Sequence, residues 1–160
     1  MDSLLKLLSE NSSFTNAELA MMLGEPEDYI AAQIAEYEAQ GIIKGYRALV
    51  NWEKVKGADV TALIEVRVSP KKVTGFDEVA ERLMMFDEVD SLYLMAGAYD
   101  FAVFVKGKTI QDIASFVSRR LSTIDGVLST ATHFMLKRYK DGGVNIKEID
   151  QQEDKRSMVL

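Results

Sequence analysis

The stretch "EPEDYIAAQIAEYEAQG", residues 25–41, concentrates hydrogen-bond acceptors: Glu25, Glu27, Asp28, Glu36 and Glu38 occur in it without a single Lys or Arg. Gln33 adds an amide that donates and accepts, and Tyr29 adds a hydroxyl. Such a surface has no cation with which to neutralise a phosphate. Catalytic chemistry finds little elsewhere. The absence of cysteine excludes disulfides, a thiol nucleophile and Cys-based metal sites. A single histidine, His133, rules out a His-rich metal site; beside Phe134 and Met135 it reads as a residue facing the helix layer or solvent rather than a base. Asp87, Glu88 and Asp90 cluster between a helical and a strand pattern, where a solvated turn is the ordinary reading. No Ser/His/Asp spacing, phosphate loop or metal motif is present. No enzyme activity, metal or cofactor is expected.

The acceptor-rich stretch must be held by what precedes it. "DSLLKLLS" places Leu4, Leu5, Leu7 and Leu8 along one side of a short helix with Asp2 as its cap. In "TNAELAMMLG", Thr15 and Glu18 have capping-box spacing, Leu19, Met22 and Leu23 supply an apolar face, and Gly24 closes the helix. Pro26 suits the first turn of a third helix, in which Ile30, Ile34 and Tyr37 recur at i, i+4 and i+7 before Gly41 ends it. Three short helices with a glycine turn between the second and third make a helix-turn-helix pattern. The acidic stretch therefore falls where a DNA-reading helix would lie.

The positions expected to face a groove are Glu27, Asp28, Tyr29, Ala32, Gln33 and Glu36, with Lys44 and Arg47 following. Gln33 could read adenine, Tyr29 could contact a phosphate or methyl group, and carboxylates can accept from cytosine N4. Charge runs against this assignment. Residues 1–46 hold Lys6 and Lys44 against eight carboxylates, so they carry the whole net charge of −6, and the remaining 17 basic and 17 acidic residues cancel. A carboxylate about 4 Å from a phosphate costs about 1 kcal/mol even in bulk water, and more near a protein surface.

From residue 60 the period changes. "VTALIEVRV" alternates Ala62, Ile64, Val66 and Val68 against Leu63, Glu65 and Arg67, which is strand spacing. "GFDEVAERLMMF" is helical, with Phe76, Val79, Leu83 and Phe86 on one face; "VDSLYLMAGAYDFAVFVKG" reads as two strands around a turn at 96–100. "TIQDIASFVSRRL" is a second amphipathic helix with Ile110, Ile113, Val117 and Leu121 inward, and "VLSTATHFMLKRYK" is a last strand. The order β-α-β-β-α-β predicts a ferredoxin-like α+β sandwich with both helices on one face of an antiparallel sheet. The expected domains are a helix-turn-helix at 1–50, with "IIKGYRALVNW" (42–52) as a short strand or wing, a hinge at 51–59, the βαββαβ domain at 60–142 and a polar tail at 143–160. "SLYLM" and "FAVFV" are apolar on both faces, so the second sheet face needs cover. A second copy packed face to face supplies it, making an obligate dimer; the alternative is that the N-terminal helices fold back over the sheet.

This arrangement resembles the Lrp/AsnC family of transcriptional regulators over about residues 2–141. "ELAMMLG" is similar to the family's second helix and turn, "GIIKGYRALVNWEKVKG" to its hinge passage, "AGAYDFAVFV" to its G-x-Y-D turn and "IDGVLSTATHFMLKRYK" to its I-x-G-V-x-x-T-x-T strand. The resemblance implies a DNA-binding regulator built of sensor-domain dimers, often assembled into tetramers or octamers, with small effectors, typically amino acids, bound near the G-x-Y-D turn. It puts Gly97, Tyr99 and Asp100 in that region, with Thr130 and Thr132 on the adjoining strand. There Gly97 would let the backbone approach a ligand, Tyr99 would offer a hydroxyl and a ring face, and Asp100 would receive an α-ammonium group. The same turn also makes an ordinary hairpin whose Asp caps backbone N–H groups. The chain departs from the family pattern at Pro26, where a capping Ser is expected, and at Gln33, where an Arg is expected. The alternative function is an oligomeric sensing module that has weakened or lost DNA binding and acts through protein partners. The N-terminus is too short and too acidic for a signal peptide and no apolar run could span a bilayer, so a cytoplasmic location without a membrane partner is expected.

Overall fold

The computed structural model describes residues 2–69 and 75–146. They form two compact units, residues 2–50 with 139–146, and residues 51–138.

In the first unit, α1 (Ser3–Glu10) starts where the Asp2 carboxylate accepts from the Leu5 N–H at 3.0 Å. Helix α2 (Asn16–Leu23) starts on a reciprocal capping box: Thr15 N–H donates to Glu18 Oε2 at 2.7 Å, and Glu18 N–H to Thr15 Oγ1 at 3.2 Å. It stops at Gly24, whose φ of 71° is left-handed and suits glycine. Helix α3 (Glu27–Ala39) has Pro26 in the cap position with no side-chain hydrogen bond to its first turn. Glu27 and Asp28 instead place negative charge against the helix's positive end. Leu4, Leu19 and Ile30, one from each helix, form the buried centre, with Leu7, Leu8, Phe14, Leu23, Ile34 and Tyr37 around them. Met22, expected inward, is half exposed, because Leu19, Ala20 and Leu23 turn toward the core and leave Met22 on the flank.

The wing does not form. Residues 43–51 run without helix or strand, and Trp52–Lys54 make a single 3₁₀ turn. A strand needs a neighbour to take its N–H and C=O groups, and this segment pairs with none in a single chain. Ile42, Tyr46, Leu49 and Trp52 stay about half exposed along it.

In the second unit, β1 (Val60–Val68), β2 (Val89–Leu94), β3 (Phe101–Gly107) and β4 (Val127–Phe134) pair antiparallel in the order β2-β3-β1-β4. Helices α4 (Asp77–Met84) and α5 (Ile110–Phe116), the latter continuing as a wider turn through Leu121, cover one face. Ala62, Ile64, Val66, Phe101, Val103 and Val105 meet Val79, Leu83, Ile113, Phe116, Val117 and Leu121 in one core. The expected βαββαβ sandwich is what the chain adopts. Ile110, expected inward, is half exposed at the first position of α5. The last strand ends at Phe134; a short hairpin, β5 (Lys140–Asp141) with β6 (Val144–Asn145), follows in the first unit.

The other sheet face carries Leu63 and Glu65 of β1, Ala102 and Phe104 of β3, Tyr93 of β2, and Ala131 and His133 of β4, as the register requires. No element among the described residues of 51–138 covers it. Tyr93 meets Phe104 edge to face at 6.1 Å, and His133 Nε2 lies 3.3 Å from Glu65 Oε1. His133 therefore lies on this open face, not against the helices.

Candidate functional site

Two groups of residues are candidates for recognition, one in each unit.

In the first, α3 is held by contacts at both ends. Ile30, Ile34 and Tyr37 face the core, and the Tyr37 hydroxyl donates to Asp2 Oδ2 at 2.6 Å. That bond, then the Leu5 N–H, holds the Asp2 carboxyl below its ordinary range, while the same bond raises the Tyr37 phenol. Beyond the helix, the Tyr46 hydroxyl donates to Glu38 Oε1 at 2.8 Å, and this bond raises the Tyr46 phenol. Glu36 accepts from the Gln40 amide.

The groove candidates separate by direction. Glu27, Asp28, Ala32 and Glu36 are exposed, and Asp28 and Ala32 point away from Ile30 and Ile34. Tyr29 and the half-buried Gln33 turn toward α1, where they line a hollow of about 280 Å³ with Asp2, Leu4, Glu25 and Tyr37. Lys44 folds back over the end of α3: its Nζ lies 2.7 Å from the point a Cβ on Gly41 would occupy. There it complements the negative end of the helix. Arg47 is exposed on the extended segment.

In the second unit, Gly97, Tyr99 and Asp100 share the β2–β3 turn. Asp100 closes it: its N–H donates to the Val66 carbonyl at 3.0 Å, its own carbonyl accepts from Met95 N–H at 2.7 Å, and its Oδ2 accepts from Val68 N–H at 2.8 Å. Asp100 thus caps the end of β1, as the ordinary hairpin reading expects. Its other carboxylate oxygen has no partner among the described residues. Gly97 does not have a left-handed φ, and a Cβ there would meet nothing within 4 Å. Nothing within one chain demands glycine at that position.

Thr130 and Thr132 pair with Val66 and Ile64 across β1, so they lie on the helix-covered face. The Thr130 and Ser122 hydroxyl oxygens are 3.4 Å apart. The fold brings the turn and Thr130 to the same end of the sheet but leaves β1 between them, a gap of about 10 Å at ordinary strand spacing. Thr132 lies two residues further along.

In the sequence, Arg119–Arg120 reads only as an exposed basic pair compensated by nearby carboxylates; in the structure Arg120 has a specific place. It pairs with Glu88 and lies over the rings of Phe86 and Phe116, at 4.7 Å and 5.5 Å from their centroids. Only the fold brings residues 88 and 120 together, so spacing carried no signal. The arrangement clamps the end of α5 to the start of β2. No helix among the described residues is long and apolar enough to cross a membrane.

Residues 61–144 match the family model described as the Lrp/AsnC ligand binding domain. The chain is 45% identical over 157 residues to YugG of Bacillus subtilis, named as an HTH-type transcriptional regulator, covering 98% of this chain and 93% of that one. LrpA of Pyrococcus abyssi, another HTH-type transcriptional regulator, is 31% identical over 137 residues, 86% of this chain and 94% of its own. Among solved structures, AsnC of E. coli superposes with a TM-score of 0.65 at 27% identity, covering 86% of this chain and 93% of the other. The leucine response regulatory protein of Mycobacterium tuberculosis shares the fold, with a TM-score of 0.73 at 23% identity over 92% of this chain and all of the other. These relatives are regulators rather than enzymes, and they favour a DNA-binding regulator over a module working through protein partners alone.

Proposed function

This chain belongs to the Lrp/AsnC family of helix-turn-helix transcriptional regulators, and from that membership we propose how it divides its work: the 2–50 helices read DNA, the βαββαβ domain pairs two chains, and a small effector binds at the β2–β3 turn. The observation that carries the pairing is the open sheet face. Leu63, Phe104 and Tyr93 stand on it, and a second copy related by a two-fold axis is the occupant that suits a self-complementary apolar face. Such dimers would assemble further, into tetramers or octamers. The expected domain boundaries are 1–50, 51–59, 60–142 and 143–160.

For DNA, the reading uses Glu27, Asp28 and Ala32 of α3 at base edges, with Tyr29 and Gln33 joining them by swinging out of the hollow against α1, and Lys44 and Arg47 at phosphates. For the effector, the free oxygen of Asp100 would receive an ammonium group, Tyr99 would supply a ring and a hydroxyl, and the backbone at Gly97 would lie against the ligand. Thr130 and Thr132 would bound the site across β1. A free amino acid is the ligand class that suits a carboxylate beside a backbone approach. The open space around Gly97 supports this reading, because a glycine that the chain itself does not need is accounted for by something arriving from outside.

The test is direct. Promoter-sized DNA is titrated with the full chain at about 50 mM salt, with and without each of a panel of amino acids, and the mass of the free protein is measured by sedimentation. Operator binding that one amino acid shifts, by a protein of at least dimeric mass, supports the reading. A monomer at micromolar concentration, or DNA binding that no amino acid alters, overturns the corresponding part.

A further inference from the structure

We infer that pairing of two chains takes up protons through His133 and Glu65: the open sheet face closes on a second copy with His133 charged, so the dimer tightens as pH falls from 8 to 6. This rests on the proposed face-to-face dimer.

The register puts Glu65 in the middle of the open face. Ala102 of β3 and Ala131 of β4 stand opposite it on either side, and the neighbouring row is Phe104, Leu63 and His133. Alanine side chains offer a carboxylate no donor. Its one ion-pair partner among the described residues is His133, whose Nε2 reaches Glu65 Oε1 diagonally across the β1–β4 pair at 3.3 Å. In a single chain the imidazole is 56% exposed and the carboxylate 35%, so water still solvates both. A second copy laid on Leu63, Phe104 and Tyr93 removes that water.

The other charges on the face leave Glu65 to His133. Lys106 of β3 is closed on Asp90 of β2 at 2.6 Å. Arg67 stands exposed near the end of β1, opposite Ser129, with no ion pair among the described residues. Tyr93 of β2 turns its ring to Phe104. Around His133 itself, β1 supplies Thr61 and Leu63 besides Glu65, β4 supplies Ala131 and Met135, and α4 and α5 lie behind the sheet. A second copy brings the same set.

A dimer closed over a neutral His133 buries an unanswered carboxylate in each chain, whereas one closed over a protonated His133 buries a pair of no net charge. An imidazole changes charge between about pH 5 and 8. Association therefore takes up as much as one proton per chain, and the imidazole holds its proton more firmly in the dimer than in the free chain. The added affinity is full below the free chain's titration and is lost as pH rises through the dimer's higher one.

The test is sedimentation equilibrium of the full chain at about pH 6 and about pH 8, at constant ionic strength. The dissociation constant should be lower at the acid value by about tenfold or more. Glu65→Gln should bring the two constants within about twofold of each other, and His133→Gln should hold the weaker, alkaline affinity at both. Both positions lie outside the helix-side core, so unchanged circular dichroism is expected. For a dimer too tight to dilute apart, exchange between two fluorophore-labelled populations reads the same difference as a dissociation rate. Equal affinity at the two pH values, or a Glu65→Gln chain that keeps the full pH dependence, overturns the proton link and leaves the dimer standing. A chain monomeric at both values, or a dimer that Phe104→Asp leaves intact, overturns the face-to-face pairing and the link with it.

Discussion

The hydroxyl of Tyr37 donates to Oδ2 of Asp2 at 2.6 Å, joining residues 35 positions apart and fastening the start of α1 to the last turns of α3. Asp2 is at once the cap of α1 and the acceptor from α3, so one carboxylate serves both helix order and helix packing.

The pH dependence of this clamp follows from its two shifts. The Asp2 pKa is lowered by the Tyr37 bond and then the Leu5 N–H, so its contribution is present above the ordinary carboxylate value of about 4 and is lost as pH falls through the lower folded value. The Tyr37 pKa is raised, so its contribution is present below the ordinary phenol value of about 10 and is lost as pH rises through the higher folded value. Thermal unfolding of the chain and of Tyr37→Phe should therefore differ across the neutral range and converge at both extremes. A difference independent of pH would show that Tyr37 acts through packing alone.

The capping box at Thr15 and Glu18 predicts a plain stability loss. Thr15→Ala should cost about 1 kcal/mol, seen as a fall of about 4–8 °C in the melting of a unit this small. Denaturant titration monitored by helix signal measures it, and an unchanged midpoint would mean α2 is held by Leu19 alone.

Phe104 stands in the middle of the open sheet face, opposite Leu63 and close to Tyr93. Phe104→Asp should leave the sandwich folded, because the helix-side core is untouched, yet weaken dimerisation by about 30-fold or more. Sedimentation equilibrium distinguishes this from a dimer of unchanged affinity, which would place the contact on another surface.

Gly97→Ala separates fold from response. With open space around the added methyl, its melting temperature without ligand should match the parent. The rise in melting temperature caused by the effector should shrink or vanish. A response equal to the parent's would remove Gly97 from the site.

Residues 1–50 offer only Lys6, Lys44 and Arg47 as cations. Each neutralised phosphate contributes about −0.9 to the slope of log K against log salt, so the slope should be no steeper than about −3 per helix-turn-helix. Fluorescence anisotropy over a salt series checks this, and a markedly steeper slope would require phosphate contacts from other parts of the chain.

Much of this protein was legible as text because the causes are local. Asp2, the Thr15–Glu18 pair and Gly24 act within one helical turn, and each does what its spacing announces. The alternation in "VTALIEVRV" and the period in "GFDEVAERLMMF" identify one face of a strand and one of a helix, and the order of elements leaves few ways to pair them. The misreadings lie where locality fails. Met22 and Ile110 have the apolar character of core residues but sit at a flank and a helix start, where direction depends on the neighbouring element. Residues 43–51 have strand-like composition without a strand, since pairing belongs to two segments and not to one.

What the sequence determined by itself is the inventory: three short helices, two of them capped by side chains, a sandwich with one face too many, and a third helix rich in acceptors. Only the tertiary structure decided how those groups are spent. It gave one oxygen of Asp100 to β1 and left the other available, drew Tyr29 and Gln33 toward α1 while Asp28 points outward, folded Lys44 over the end of α3, and laid Arg120 over the paired rings of Phe86 and Phe116 beside Glu88. Side-chain direction and long-range hydrogen bonds depend on where distant backbone comes to rest, and no spacing along the chain encodes that.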